Sequence, residues 1–140
     1  MSVAVDTRRW RFHPVHAFLV GAALPLFVGA LLADVAYAKT FEVQWTNFAS
    51  WLLAGGMVFA GAALACALAA LFRPGRDGGA VLHFLVLLAL FVVGLIDSFV
   101  HARDGWATMP ASLWLSGIAV VLAVWAAWSA FAGVRRGVAP

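Results

Sequence analysis

Charge is what this sequence has least of: 11% of its 140 residues are Asp, Glu, Lys or Arg. A soluble globular domain carries about a quarter. Apolar residues make up 65% and the mean hydropathy is +0.99. A small water-soluble domain leaves much of its surface in solvent and cannot hide that proportion. Cysteine occurs once, as Cys66 in the run Ala63–Leu68, which excludes an internal disulfide and reads as a small buried side chain. Also missing are a nucleophile–histidine–carboxylate set, a phosphate-binding loop and a zinc signature. The net charge of +3 does not point to nucleic acid, because the basic residues stand beside the ends of apolar runs.

What is present is four long apolar segments, at about 14–38, 48–72, 80–102 and 110–134. Each satisfies the roughly 20 residues that a helix needs to cross a bilayer. Pro14 suits a first helical turn, Asn47 is a candidate cap for the second segment, and Pro74-Gly75 and Gly78-Gly79 separate the second from the third. Helix is required, since an open strand in lipid leaves backbone groups unpaired. The fold class is therefore all-α, an integral membrane four-helix up-down bundle forming a single domain over 1–140. Arg8-Arg9 before an apolar run that ends in Ala36-Tyr37-Ala38 imitates a cleavable signal. That run is long for a signal, and we read it as a true first span.

The basic residues orient the bundle. Of the nine Lys and Arg, Arg8, Arg9, Arg11, Arg73, Arg76, Arg135 and Arg136 fall on one side; Lys39 and Arg103 fall on the other. By the positive-inside rule both termini are expected to be cytoplasmic. Trp10, Trp45, Trp51, Trp106 and Trp128 lie near span ends, where the headgroup layer favours them. Glycines such as Gly21, Gly29, Gly55, Gly56, Gly61 and Gly117 suit close helix packing, and Pro25 is expected to kink span one.

The few ionisable residues inside the spans carry the functional information, because a charge at the bilayer centre costs about 2.5–3.5 kcal/mol. They are His16 and Asp34 in span one, with His83, Asp97 and His101 in span three. His16 and Asp34 are 18 residues apart, as are His83 and His101, which is five full helical turns. Asp97 falls on the same stripe. A polar interior cluster of Asp34, Asp97 and His101 is expected toward the outer end. His16 and His83 enter at similar depth near the cytoplasmic end, on diagonally opposed helices whose axes should lie about 14 Å apart. That arrangement suits the two axial ligands of a b-type haem. His13 is an alternative ligand or a hydrogen-bonding neighbour, and Arg11 and Arg76 are among the arginines placed to pair with haem propionates. A histidine one turn into a span also serves simply as an interfacial residue. Asp34 and Asp97, for their part, can cap loops or meet Lys39, Arg103 or His101.

Three stretches resemble one family. His13-Pro14-Val15-His16 opening span one, Gly94-Leu95-Ile96-Asp97 closing span three, and Gly105-Trp106-Ala107-Thr108-Met109-Pro110 are similar to domain of unknown function 2231. Its members are small bacterial four-span membrane proteins, and the resemblance covers about residues 12–134. Many members carry a further histidine shortly after the opening motif, where this chain continues Ala17-Phe18-Leu19-Val20-Gly21. The resemblance implies company with periplasmic oxidases or sugar dehydrogenases, and so a route for electrons into the membrane.

Three functions are compatible with these features. The first is an electron-transfer subunit with haem b on His16 and His83, linking quinone to a periplasmic or membrane redox partner without catalysis of its own. The second is a cofactor-free accessory or anchoring subunit, and the third a small proton or solute carrier using Asp34, Asp97 and His101. The bilayer is a partner in every case, and a homo-oligomer is compatible with the glycine-lined faces.

Overall fold

The computed structural model describes residues 13–74, 78–103 and 107–138, with side chains up to 134 in the last segment. Its elements are α1 (Pro14–Thr40), α2 (Val43–Leu71), α3 (Gly78–His101) and α4 (Ala111–Val138). All four are long and apolar enough to cross a membrane, and no strand occurs among the described residues.

Local chemistry sets the ends. The His13 ring caps α1 by accepting from the Val15 N–H at 3.3 Å, and Pro14 takes the first turn, where its missing N–H is harmless. α1 continues across Pro25 and closes at Phe41, whose left-handed φ of 55° lets its N–H reach the Tyr37 carbonyl at 2.8 Å. α2 then begins at Val43, capped by the Glu42 backbone, rather than after Asn47. The turn Val43–Asn47 is more polar than the run that follows, yet it is already helical. The apolar run therefore marks the span but not the helix.

Helices α1 and α3 each pack against both α2 and α4, so α1 and α3 stand diagonally opposed. The inward faces divide the work. α4 contributes Ala119, Ala123, Ala126, Ala127 and Ala130, and α2 contributes Ala49, Ala60, Ala63 and Ala67 with Leu53. Bulk comes from the diagonal pair: Val20 and Phe27 on α1, Leu87 and Leu90 on α3. Methyl-faced helices pack near the short end of the interaxial range, about 8 Å. A square of that side has a diagonal of about 11 Å, so side chains of α1 and α3 meet across the centre.

The same packing sets a register. Residues of α1 meet residues 67 positions later on α3, as His16 meets His83 and Asp34 meets His101. Phe27 and Gly94 keep that offset at mid-bundle: a Cβ on Gly94 would lie 3.3 Å from Phe27 Cε1 and 2.5 Å from Met57 Sδ. Glycine is needed there because the phenyl ring fills the centre.

Most of each helix looks outward. In the most apolar window of each span, 28–33% of residues are buried within the protein, leaving the rest to lipid. Phe18, Leu32, Trp51, Val58, Trp114 and Trp128 are among the exposed apolar side chains. Cys66 is exposed as well. It faces the acyl chains rather than the core, because Ala63 and Ala67 already take the inward positions of that turn. Gly117 departs from the packing role too, since a Cβ there would meet nothing within 4 Å. Close approach on α4 comes from its alanines.

Candidate functional site: two polar cages inside the bundle

The buried polar residues gather at two levels. One cage lies at the end of the bundle where the chain starts and finishes. His16 Nε2 and His83 Nε2 are 2.9 Å apart, with the rings edge-on at 68°. Both residues are nearly closed off, at 6% and 3% exposure. His83 Nδ1 lies 2.7 Å from Ser129 Oγ on α4.

Counting protons assigns the tautomers. Ser129 donates its hydroxyl proton to the Ala126 carbonyl at 2.9 Å. It therefore accepts from His83 Nδ1–H, which leaves His83 Nε2 as the bare nitrogen. His16 Nε2–H then donates to it. The result is a neutral chain of two imidazoles and a hydroxyl, in which the His83 Nε2 lone pair accepts from His16.

The other cage sits at the far end, about 27 Å away by the 18-residue spacing. Asp34 and Asp97 are fully buried. Ser116 Oγ stands between them, 2.6 Å from Asp34 Oδ2 and 2.8 Å from Asp97 Oδ2. His101 closes the group: its Nε2 is 2.8 Å from Asp34 Oδ1, and its Nδ1 donates to the Asp97 carbonyl at 3.0 Å. Asp97 Oδ1 lies 3.2 Å from that same nitrogen yet has no hydrogen-bond partner. Thr108, Ser112 and Thr46 are also buried polar residues.

His16 and His83 thus meet directly, and Asp34, Asp97 and His101 meet one another. His13 stands exposed at the start of α1, its ring engaged in capping. Lys39, Arg73 and Arg103 are exposed, so the aspartates take His101 rather than a basic side chain as their partner. Arg11 and Arg76 lie outside the described residues, as do Arg8, Arg9, Trp10 and Trp106. Reasoning from charge passed over Ser116 and Ser129, the α4 members of the cages. Ser116 has a signal, the small-residue stripe that Ser112, Ser116, Ala119, Ala123, Ala126 and Ala130 make at helical spacing, whereas Ser129 stands one residue off it. Among the described residues no group of three or more metal-ligating side chains forms. Haem iron asks less, since two axial ligands suffice beside the macrocycle's own nitrogens.

Fold and interior together define a four-span membrane protein whose apolar bundle encloses a nitrogen-lined cage at one end and an oxygen-lined cage at the other. The chain belongs to the family described as predicted membrane protein (DUF2231), whose model matches residues 12–137. No curated protein and no solved structure matches it.

Proposed function

We propose that this protein is an electron-transfer subunit of the bacterial inner membrane, holding a b-type haem between His16 and His83. The observation that carries the reading is the convergence of two buried Nε2 atoms, 2.9 Å apart, on the bundle axis. Ser129 supports it, because a ligating imidazole characteristically donates its other N–H to a neighbour that fixes its orientation. Imidazole nitrogens sit about 2.0–2.1 Å from a bound metal. If a haem binds there, His16 and His83 would hold its iron in place of the hydrogen bond they now share, and α1 and α3 would have to part to admit it. Ala67 on α2 and Ala126 and Ala130 on α4, buried toward that end of the bundle, carry methyl groups rather than long side chains.

A haem bound there exchanges single electrons, and the chain's own residues hold it, orient it and exclude water. Arg73, exposed just beyond the end of α2, suits its propionates, as do Arg8, Arg9, Arg11 and Arg76 by their place in the sequence, outside the described residues. Positive-inside orientation puts that end, with both termini, in the cytoplasm. Electrons would pass between quinone and a periplasmic or membrane redox partner. The outward apolar faces suit such a partner or a second copy of the chain. A Glu42→Cys variant in a Cys66→Ala background should react with a membrane-impermeant maleimide from the periplasmic side; labelling from the cytoplasm alone would reverse the orientation.

One observation favours a second reading, a cofactor-free accessory or anchoring subunit. The two histidines already satisfy each other, and the alanines around them are closely packed. Absorption spectra separate the two. Protein purified from haem-replete cells should show a Soret band that His16→Ala and His83→Ala abolish and His101→Ala preserves. A band absent from the wild-type protein, or one unaffected by loss of either histidine, leaves the anchoring subunit as the account.

A further inference from the structure

The far cage contains more short contacts than its ordinary complement of protons can fill. Four contacts need a proton each: His101 Nδ1 to the Asp97 carbonyl, His101 Nε2 to Asp34, and Ser116 Oγ to each aspartate. Two ionised carboxylates, a neutral imidazole and a serine supply two protons, one on the ring and one on the hydroxyl. The carbonyl can only accept, so the ring proton is fixed at Nδ1. The hydroxyl proton can serve only one of its two carboxylates. Left so, one oxygen pair at 2.6–2.8 Å has no hydrogen between its members, and two negative charges are buried in the membrane interior. Two further protons fill every contact and make the cage electrically neutral.

Asp97 Oδ1 says where one of them goes. It is wholly buried, points toward His101 at 3.2 Å, and accepts no hydrogen bond. A carboxylate oxygen without a hydrogen bond in the interior is costly, and one positive charge on His101 cannot neutralise two aspartates. The carbonyl oxygen of a protonated carboxyl carries much less charge and tolerates that position. Oδ2–H of Asp97 can then donate to Ser116 Oγ, whose own proton goes on to Asp34 Oδ2. The second added proton bridges Asp34 Oδ1 and His101 Nε2.

We propose that the far cage is a proton-binding site, holding one proton on Asp97 and a second between Asp34 and His101, with Ser116 as the relay joining the two. Loss of either proton leaves a single uncompensated negative charge, and loss of the one on Asp97 also breaks the Ser116 bridge. His101, the last residue of α3, is the member nearest the loop that leads out of the bundle, and so the natural port for exchange. Among the described residues the other titratable groups near the site are few. Tyr37 on α1 is buried, whereas Lys39, Glu42 and Arg103 are exposed. Described residues of α2 and α4 turn no ionisable side chain inward; Thr46, Ser112 and Ser116 are their polar contributions at this end. The site does not depend on haem at the opposite end.

Infrared spectroscopy of the purified full chain tests this, at a pH well above the ordinary carboxylate range so that exposed acids are ionised. The wild-type protein should retain the carbonyl stretch of a protonated carboxylic acid, shifted in D2O. Asp97→Asn should remove it, Ser116→Ala should move its frequency, and Glu42→Gln should leave it unchanged. The wild-type spectrum alone is decisive whatever the variants do: a folded protein without that band overturns the proposal. A band that survives Asp97→Asn overturns the assignment of the proton to Asp97.

Discussion

The two cages share helices and register but not chemistry. α1, α3 and α4 supply the hydrogen-bonded members of both, while α2 contributes alanines, Leu53 and, at the acidic end, Thr46. At one end the donors are two imidazoles and a hydroxyl, with no carboxylate among the described residues. At the other they are two carboxylates, one imidazole and one hydroxyl. A neutral nitrogen set can stay buried without a counter-charge, and its nitrogens suit a metal once the hydrogen bond between the rings is given up. An acidic set must take up protons or cations to remain in a bilayer. The difference teaches that one small bundle can house two unlike polar sites, provided that alanine-faced neighbours let the diagonal helices touch. Phe27, seated against Gly94, keeps them apart.

The largest expected effect breaks the acidic cage. His101→Ala leaves Asp34 without its partner, and removal of one member of a buried pair costs about 3–5 kcal/mol. Proton uptake by Asp34 should hold the loss near 3 kcal/mol, the low end of that range. Denaturant unfolding in detergent, followed by helical circular dichroism, would measure it; a loss below about 1 kcal/mol would mean that His101 is peripheral to the cage.

Next comes the divider. Gly94→Ala forces a methyl group against Met57 and Phe27, and overpacking of this kind costs about 1–3 kcal/mol. Gly117→Ala, with open space around its Cβ, should be neutral within about 0.5 kcal/mol. Equal effects at the two glycines would remove the argument for a filled centre.

The smallest effect sharpens the nitrogen cage. Ser129→Ala removes one hydrogen bond inside the membrane, worth about 0.6 kcal/mol on average. Its value lies in the spectrum: with haem bound, loss of the Nδ1 partner should shift the midpoint potential while leaving both ligands in place. An unchanged potential would make Ser129 a packing residue.

Much of this interior is legible in the sequence, for a physical reason. Ionisable residues are so costly in lipid that His16, Asp34, His83, Asp97 and His101 announce themselves, and a spacing of 18 residues returns each pair to one helical face. The serines escape notice because a hydroxyl in a membrane helix ordinarily bonds back to its own helix. Ser50 reaches the Thr46 carbonyl and Ser98 the Gly94 carbonyl in that way, both at 2.8 Å. Nothing local distinguishes Ser116 from these; its two carboxylate partners come from other helices. Direct contact between His16 and His83 was equally hidden, since it depends on how closely alanine-faced helices approach. The early start of α2 at Val43 escaped because hydropathy reports the hydrocarbon layer, whereas helix continues beyond it.

The central claim, that the paired histidines hold haem, reduces to one number. Protein purified in detergent from haem-replete cells can be denatured in alkaline pyridine and its haem content read from the reduced haemochrome spectrum. One b-type haem per chain, falling to none in the His16→Ala, His83→Ala double variant, is the result this account predicts. A folded wild-type protein that carries no haem would contradict it, and would make the histidine pair a structural hydrogen bond.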